Sequence, residues 1–178
     1  LNAYARTGFY PFHMPGHKRN PETGPLAPFY RLDITEIDGF DNLHAASGVI
    51  RQAQERAAKL YGSEETHFLI NGSTGGLLSA VASIAGKGKV LLGVPLIVDE
   101  AHGAHLGFHE AYPENSVQCG ADVVIQSTHK TLPSPTQTAV LHVNGTLVNR
   151  DHLRKYLAIY QTSSPSYLLM TGIEEGLY

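Results

Sequence analysis

A chain of 178 residues, 42% hydrophobic and 16% charged, is long enough for one sizeable core and one large domain. A net charge of −3 supplies no broad basic surface, which argues against nucleic acid as a partner. The single cysteine, Cys119, excludes an internal disulfide framework, no apolar run reaches membrane-spanning length, and Leu1–Tyr10 has no signal-peptide core, so a cytoplasmic protein off the membrane is expected. In chain order, Leu1–Phe12 reads as a short helix or arm. Phe12–Lys18 (FHMPGHK) is a turn of fixed shape held between prolines, with His13, His17 and Lys18 on it. Asn20–Pro28 is loop, and Leu32–Ile37 a short strand or turn. After the breaker-rich Asp38–Gly48, Ser47 is placed to cap a helix over Val49–Tyr61 that Gly62 stops.

A β-type run, Thr66–Ile70, leads into Asn71-Gly72-Ser73-Thr74-Gly75-Gly76 and an apolar helix, Leu77–Ala85. Strand, Gly/Ser/Thr turn and helix form the layout of an anion site, because unpaired N–H groups at a helix start favour negative charge. The same residues equally suit an ordinary helix cap. No Gly-Lys-Ser/Thr follows, so this is not a Walker A loop. Lys89–Leu92 and Val94–Val98 both read as strands, yet only Gly93 separates them. Parallel neighbours need a crossover of roughly a dozen residues, and Pro95 sits badly in a central strand. A segment is therefore expected to be missing between Leu92 and Gly93.

The second of these strands ends at Asp99 and continues as Glu100-Ala101-His102-Gly103-Ala104-His105. Three chemistries compete here. Asp99, Glu100, His102, His105 and His109 are metal-type donors, but Gly103 and Gly107 break any regular spacing, so no metal is expected. Asp99–His102 spells the DEAH box of nucleotide-driven motors, without the phosphate loop or basic face such a motor needs. A carboxylate paired with a pyridinium nitrogen needs a lysine and a phosphate cradle elsewhere. The lysine is supplied by Ala121–Leu132 (ADVVIQSTHKTL), where the buried-strand run Val123–Ile125 gives way to Ser127, Thr128, His129 and Lys130. A lysine just past a strand end sits where open α/β sheets bind ligands and can attack a carbonyl. An apolar helix begins at Leu168–Met170.

Seven stretches in series carry a resemblance: FHMPGHK (Phe12–Lys18), DITEIDG (Asp33–Gly39), Asp41–His44, NGSTG (Asn71–Gly75), VDEAHGAH (Val98–His105), QSTHKTL (Gln126–Leu132) and QTSSPSYLLM (Gln161–Met170). Together they resemble the pyridoxal-phosphate-dependent ornithine/lysine/arginine decarboxylases of the aspartate-aminotransferase-like fold. The resemblance implies a three-layer α/β/α major domain with a mostly parallel sheet, in a homodimer with a shared active site. Residues 1–48 would form an N-terminal arm and active-site loops and 49–178 the cofactor-binding domain, with the family's C-terminal domain absent. It further implies that Lys130 forms the Schiff base with pyridoxal 5'-phosphate and Asp99 partners the pyridine nitrogen. His102 would lie beside the ring, Ser73, Thr74, Ser127 and His129 would bind the phosphate, and the Thr162–Ser164 stretch, with Ser163 and Ser164, would reach the phosphate of the neighbouring subunit. The implied reaction is decarboxylation of a basic amino acid. Another reaction of the same cofactor fold, aminotransferase or lyase, uses Lys130 and Asp99 equally. A catalytically silent relative also remains open, because the family's ring-stacking histidine belongs to the segment expected to be missing.

Overall fold

The structure, a computed structural model, describes residues 1–22, 24–85 and 94–178. The expected strand Lys89–Leu92 and the junction after it lie outside the described residues. The stretch before residue 49 holds one short α-helix, α1 (Asn2–Ala5), a 3-10 turn at Leu43–Ala45, and otherwise turns and irregular chain. Leu32–Ile37 forms no strand.

The helix α2 (Val49–Tyr61) buries Ile50, Ala53, Ala57, Ala58 and Tyr61, a spacing of three and four that draws one face to the core. Gly62 ends it in the left-handed region, with φ 74°. The cap differs from expectation. Gly48, not Ser47, occupies the cap position, and the carboxylate of Asp41 accepts from the N–H groups of Ser47, Gly48, Ile50 and Arg51. A side chain from the preceding loop thus satisfies the donors that a local serine was expected to meet. Burial works to raise the Asp41 pKa, but the donors of Ser47, Asn42, Gly48 and Arg51 outweigh it and hold the carboxyl below its ordinary value.

One four-stranded sheet has the order β1 (Glu65–Leu69), β4 (Ala139–Val143), β3 (Val123–Gln126), β2 (Ile97–Asp99). Helices cover both faces. On one side α2 and α6 (Tyr167–Leu177) pack Ile50, Ala53, Ala57, Met170 and Ile173 against Phe68 and Val140. On the other, α3 (Gly72–Ile84) and α5 (Arg150–Tyr160) pack Ala80, Leu153 and Leu157 against Leu69, Ile125, Ala139 and Leu141. The three-layer α/β/α architecture is as expected.

The sheet is mixed, not mostly parallel. Only β2 and β3 pair in parallel, while β4 runs antiparallel to both β1 and β3. The cause is the link between β3 and β4. It contains a single helical turn, α4 (Thr128–Thr131), and then the turn with Pro133 and Pro135. That is too little chain for the helical crossover a parallel return requires. The outcome matters for the site: β1, β2 and β3 all point the same way, so their C-terminal ends lie at one edge of the sheet.

Candidate active site

Three turns meet at that edge. After β1, the chain turns at Asn71 into α3, whose first turn contains Gly72, Ser73 and Thr74. The expected boundary at Leu77 is therefore too late: the Gly/Ser/Thr run is itself helical. Two close contacts seat α3 on the sheet. A Cβ on Gly76 would lie 2.4 Å from Leu69 Cδ1, so only glycine permits this approach, and Gly72 N–H donates to Gln137 O at 2.8 Å. On the next residue, Thr138 O accepts from His129 Nδ1 at 2.8 Å. The Ser73 and His129 segments thus hang from adjacent carbonyls just before β4. With its proton on Nδ1, the His129 ring keeps Nε2 for a ligand.

The turn after β3 begins at Ser127, whose buried Oγ has no hydrogen-bond partner among the described residues. Lys130 follows, exposed at the end of α4. The turn after β2 begins at Asp99, whose carboxylate is exposed and accepts from Ala101 N–H at 3.2 Å. A backbone bond from Ser127 N–H to Ala101 O, 3.2 Å, ties the two turns together. Between them lies a cleft of about 460 Å³ lined by Asp99, Glu100, His102, Gly103, Leu106 and Lys130. Asp99, His102 and Lys130, 31 positions apart in sequence at the extremes, are therefore brought into one cavity.

The remaining expected residues are placed less directly. Ser73, Thr74, Ser127 and His129 sit on the turns around the cleft and do not line it. Thr162–Ser164 lies between α5 and α6 with Ser163 and Ser164 exposed, and Thr162 O accepts from His44 Nε2 at 2.8 Å. Among the described residues, no group of three metal-type side chains converges. No helix there is long and apolar enough to cross a membrane.

A larger cavity, about 550 Å³, opens beside β1 and contains none of the expected site residues. Its charges answer one another: Arg51 with Glu55 at 2.8 Å, Arg154 with Glu65 at 2.9 Å. It holds no lysine, so the smaller cleft is the better seat for carbonyl chemistry.

Beneath the cleft runs a chain of polar groups that the sequence did not single out. Gln126 Nε2 donates to Glu100 Oε2 at 2.6 Å and to Gly103 O at 3.2 Å. Its Oε1 accepts from His142 Nε2 at 3.2 Å, and His142 Nδ1 accepts from Thr66 Oγ1 at 2.8 Å. Burial first, then the neighbouring His67, pushes His142 down to about 3, so the ring is neutral. The only forewarning in sequence was polar residues within apolar strands: Gln126 ends VVIQ and His142 interrupts AVLHV.

Three strand-end turns gathered at one sheet edge, with a lysine and a carboxylate sharing a cleft, form the arrangement at which open α/β sheets bind ligands. Comparison with known proteins gives its family. A family model, Orn/Lys/Arg decarboxylase, major domain, matches residues 1–93 and 90–175. The chain belongs to this family. Among relatives, YaaO of Bacillus subtilis, described as uncharacterized, is 30% identical over 98% of the chain and 54% of its own length. An arginine decarboxylase of B. subtilis is 25% identical over 92% and 51%. The chain spans about half the length of the curated relatives it matches. Of solved structures, the constitutive lysine decarboxylase of E. coli superposes with a TM-score of 0.77 at 15% identity, covering 99% of the chain and 39% of that protein. Lysine decarboxylase A of Pseudomonas aeruginosa gives 0.76 at 16% over 99% and 38%. At such identities these likenesses establish the fold. The alignment with YaaO runs over 259 positions against a chain of 178 residues, so that relative carries residues this chain does not. The two matched stretches of the family model meet at 90–93.

Proposed function

We propose that this domain holds pyridoxal 5'-phosphate and serves the decarboxylation of a basic amino acid, lysine, arginine or ornithine, to its amine. The observation that carries the reading is the cleft shared by Asp99, His102 and Lys130. The donor set suits the group. Lys130 offers a primary amine for the aldehyde carbon, Asp99 a charge for the ring nitrogen, and His102 a flat ring beside it. The unpartnered Ser127 Oγ, with Ser73, Thr74, His129 and the first N–H groups of α3, suits a phosphate. When bound, pyridoxal phosphate supplies an electron sink for the bond to the departing carboxyl group. Asp99 holds a proton on the ring nitrogen through its charge, and the two tied turns keep Asp99 and Lys130 in fixed relation. In a homodimer, Ser163 and Ser164, exposed between α5 and α6, are available to the neighbouring subunit's phosphate. The names of the relatives support the substrate class. On the same reading, the residues that YaaO carries in excess belong at the junction of the two family-model matches, next to β2.

Mixing the protein with pyridoxal phosphate and recording the spectrum tests this. The wild type is expected to gain the absorption band of a lysine Schiff base, and Lys130→Ala to lose it. A band that survives in Lys130→Ala, or none in the wild type, contradicts the reading.

A further inference from the structure

Along the end of β2 the two acids of Asp99-Glu100 part company. Asp99 is exposed at the cleft, while Glu100, half-buried in the cleft wall, turns its carboxylate towards Ser116 and Gln126. Glu100 Oε1 accepts from Ser116 Oγ at 2.8 Å and from Ser116 N–H at 3.1 Å, and its Oε2 accepts from Gln126 Nε2. The Glu100 side chain lies so close over Gly103 that a Cβ there would sit 2.3 Å from Glu100 Cγ. Glycine at 103 is what allows the carboxylate to fold under the turn.

Gln126 is fully buried and has every polar atom in use. Its amide cannot flip. His142, with Nδ1 occupied by the Thr66 hydroxyl, presents Nε2–H to Gln126 Oε1. Ser63 Oγ, 2.9 Å from Thr66 Oγ1, closes the chain. The order Ser63, Thr66, His142, Gln126, Glu100, Ser116 thus crosses the sheet from β1 through β4 and β3 to the turn after β2. A satisfied network whose centre, Thr66, His142 and Gln126, is buried is rigid, and one left half-satisfied there is costly. Gln126 grips the 99–103 turn at two points, Glu100 and Gly103 O. It is also the strand residue from which the segment to Lys130 departs.

We infer that Glu100 and Gln126 are positioning residues: they hold the Asp99–Gly103 turn against β3, and so fix Asp99 and His102 relative to Lys130. This rests on the cofactor reading above, in which those three side chains act together. It gives the half-buried acid of the Asp-Glu pair a role distinct from that of the exposed one. It also explains why a neutral, buried histidine and glutamine stand in otherwise apolar strands.

Amide hydrogen exchange on the protein without added cofactor tests the role directly. Glu100 is half-buried and Gln126 Nε2 keeps Gly103 O as an acceptor, so Glu100→Ala is expected to leave the fold in place, checked by its circular dichroism. It is expected to speed exchange over Ala101–Ala104 by about tenfold or more, with Val140–Val143 in β4 unchanged. Glu100→Gln is expected to restore part of the protection, because its amide oxygen can still accept from Gln126 while its NH2 cannot accept from Ser116 N–H. Gln126→Met is expected to act more strongly; where it does not fold, the Glu100 pair decides. With pyridoxal phosphate added, Glu100→Ala is expected to weaken cofactor binding about tenfold and to shift the pH at which the Schiff-base band titrates, through misplacement of Asp99. If the exchange results hold but the wild type gains no band, the positioning stands and the cofactor reading falls. Unchanged exchange at Ala101–Ala104 in Glu100→Ala, or equal acceleration in β4, overturns the positioning role.

Discussion

The two edges of the sheet are finished differently. The outer edge at β1 is set among charge: Glu65 pairs with Arg154 at 2.9 Å and with Arg150 at 3.1 Å, and Glu64 also pairs with Arg150. Charged side chains along an edge strand are how folded proteins keep other strands away. Among the described residues, the edge at β2 has no such charged pairs. Its approach residues Val94 and Leu96 are 76% and 58% exposed, and β2 itself is three residues long and only half-buried. The helix α3, which packs against β2 among other strands, carries no charged residue and leaves Leu78 and Val81 exposed at 49% and 46%. Among the described residues, β1 therefore carries the protection of an edge strand and β2 does not.

The largest effect that sharpens this contrast concerns the cleft at the β2 end. Asp99→Asn is expected to retain pyridoxal phosphate and lose decarboxylation by about 100-fold or more, since an amide keeps the volume without the charge. Parallel assays of cofactor binding and carbon dioxide release check it, and full retention of activity would count against the role of Asp99. Next in size is the packing of α3. Gly76→Ala drives a methyl into Leu69 and is expected to destabilise by about 1–3 kcal/mol, read from urea unfolding midpoints.

Smaller is the cap of α2. Asp41→Ala is expected to cost about 1–2 kcal/mol at neutral pH. The Asp41 carboxyl titrates below its ordinary value in the folded state, so its contribution is present above the unfolded-state value and fades as pH falls through the folded one. The stability gap between wild type and Asp41→Ala therefore closes in acid; a gap independent of pH would contradict the cap. The smallest effect on stability is expected at the open edge. Leu96→Lys should change unfolding by no more than about 0.5 kcal/mol yet reduce self-association by light scattering, whereas a charge-removing Arg154→Leu at β1 should increase it.

What the sequence made legible was local. The 3.6-residue spacing of α2, its glycine stop, the apolar run of β3 and the strand-end places of Asp99 and Lys130 all follow from patterns within a few residues. What escaped was set by distant partners. Asp41 caps a helix that begins eight residues later, so Ser47 looked sufficient. The strand Ala139–Val143 and its reversed direction depend on how little chain follows β3. Glu100, Gln126 and His142 come from three separate strands or turns, and their connection exists only once the sheet has formed.

The central claim is that Lys130 is the lysine that carries the cofactor. Borohydride reduction of the protein mixed with pyridoxal phosphate, followed by peptide mapping, tests it most directly. The account predicts a single phosphopyridoxyl label on Lys130. A label on Lys87 or Lys89 with Lys130 unmodified would contradict it.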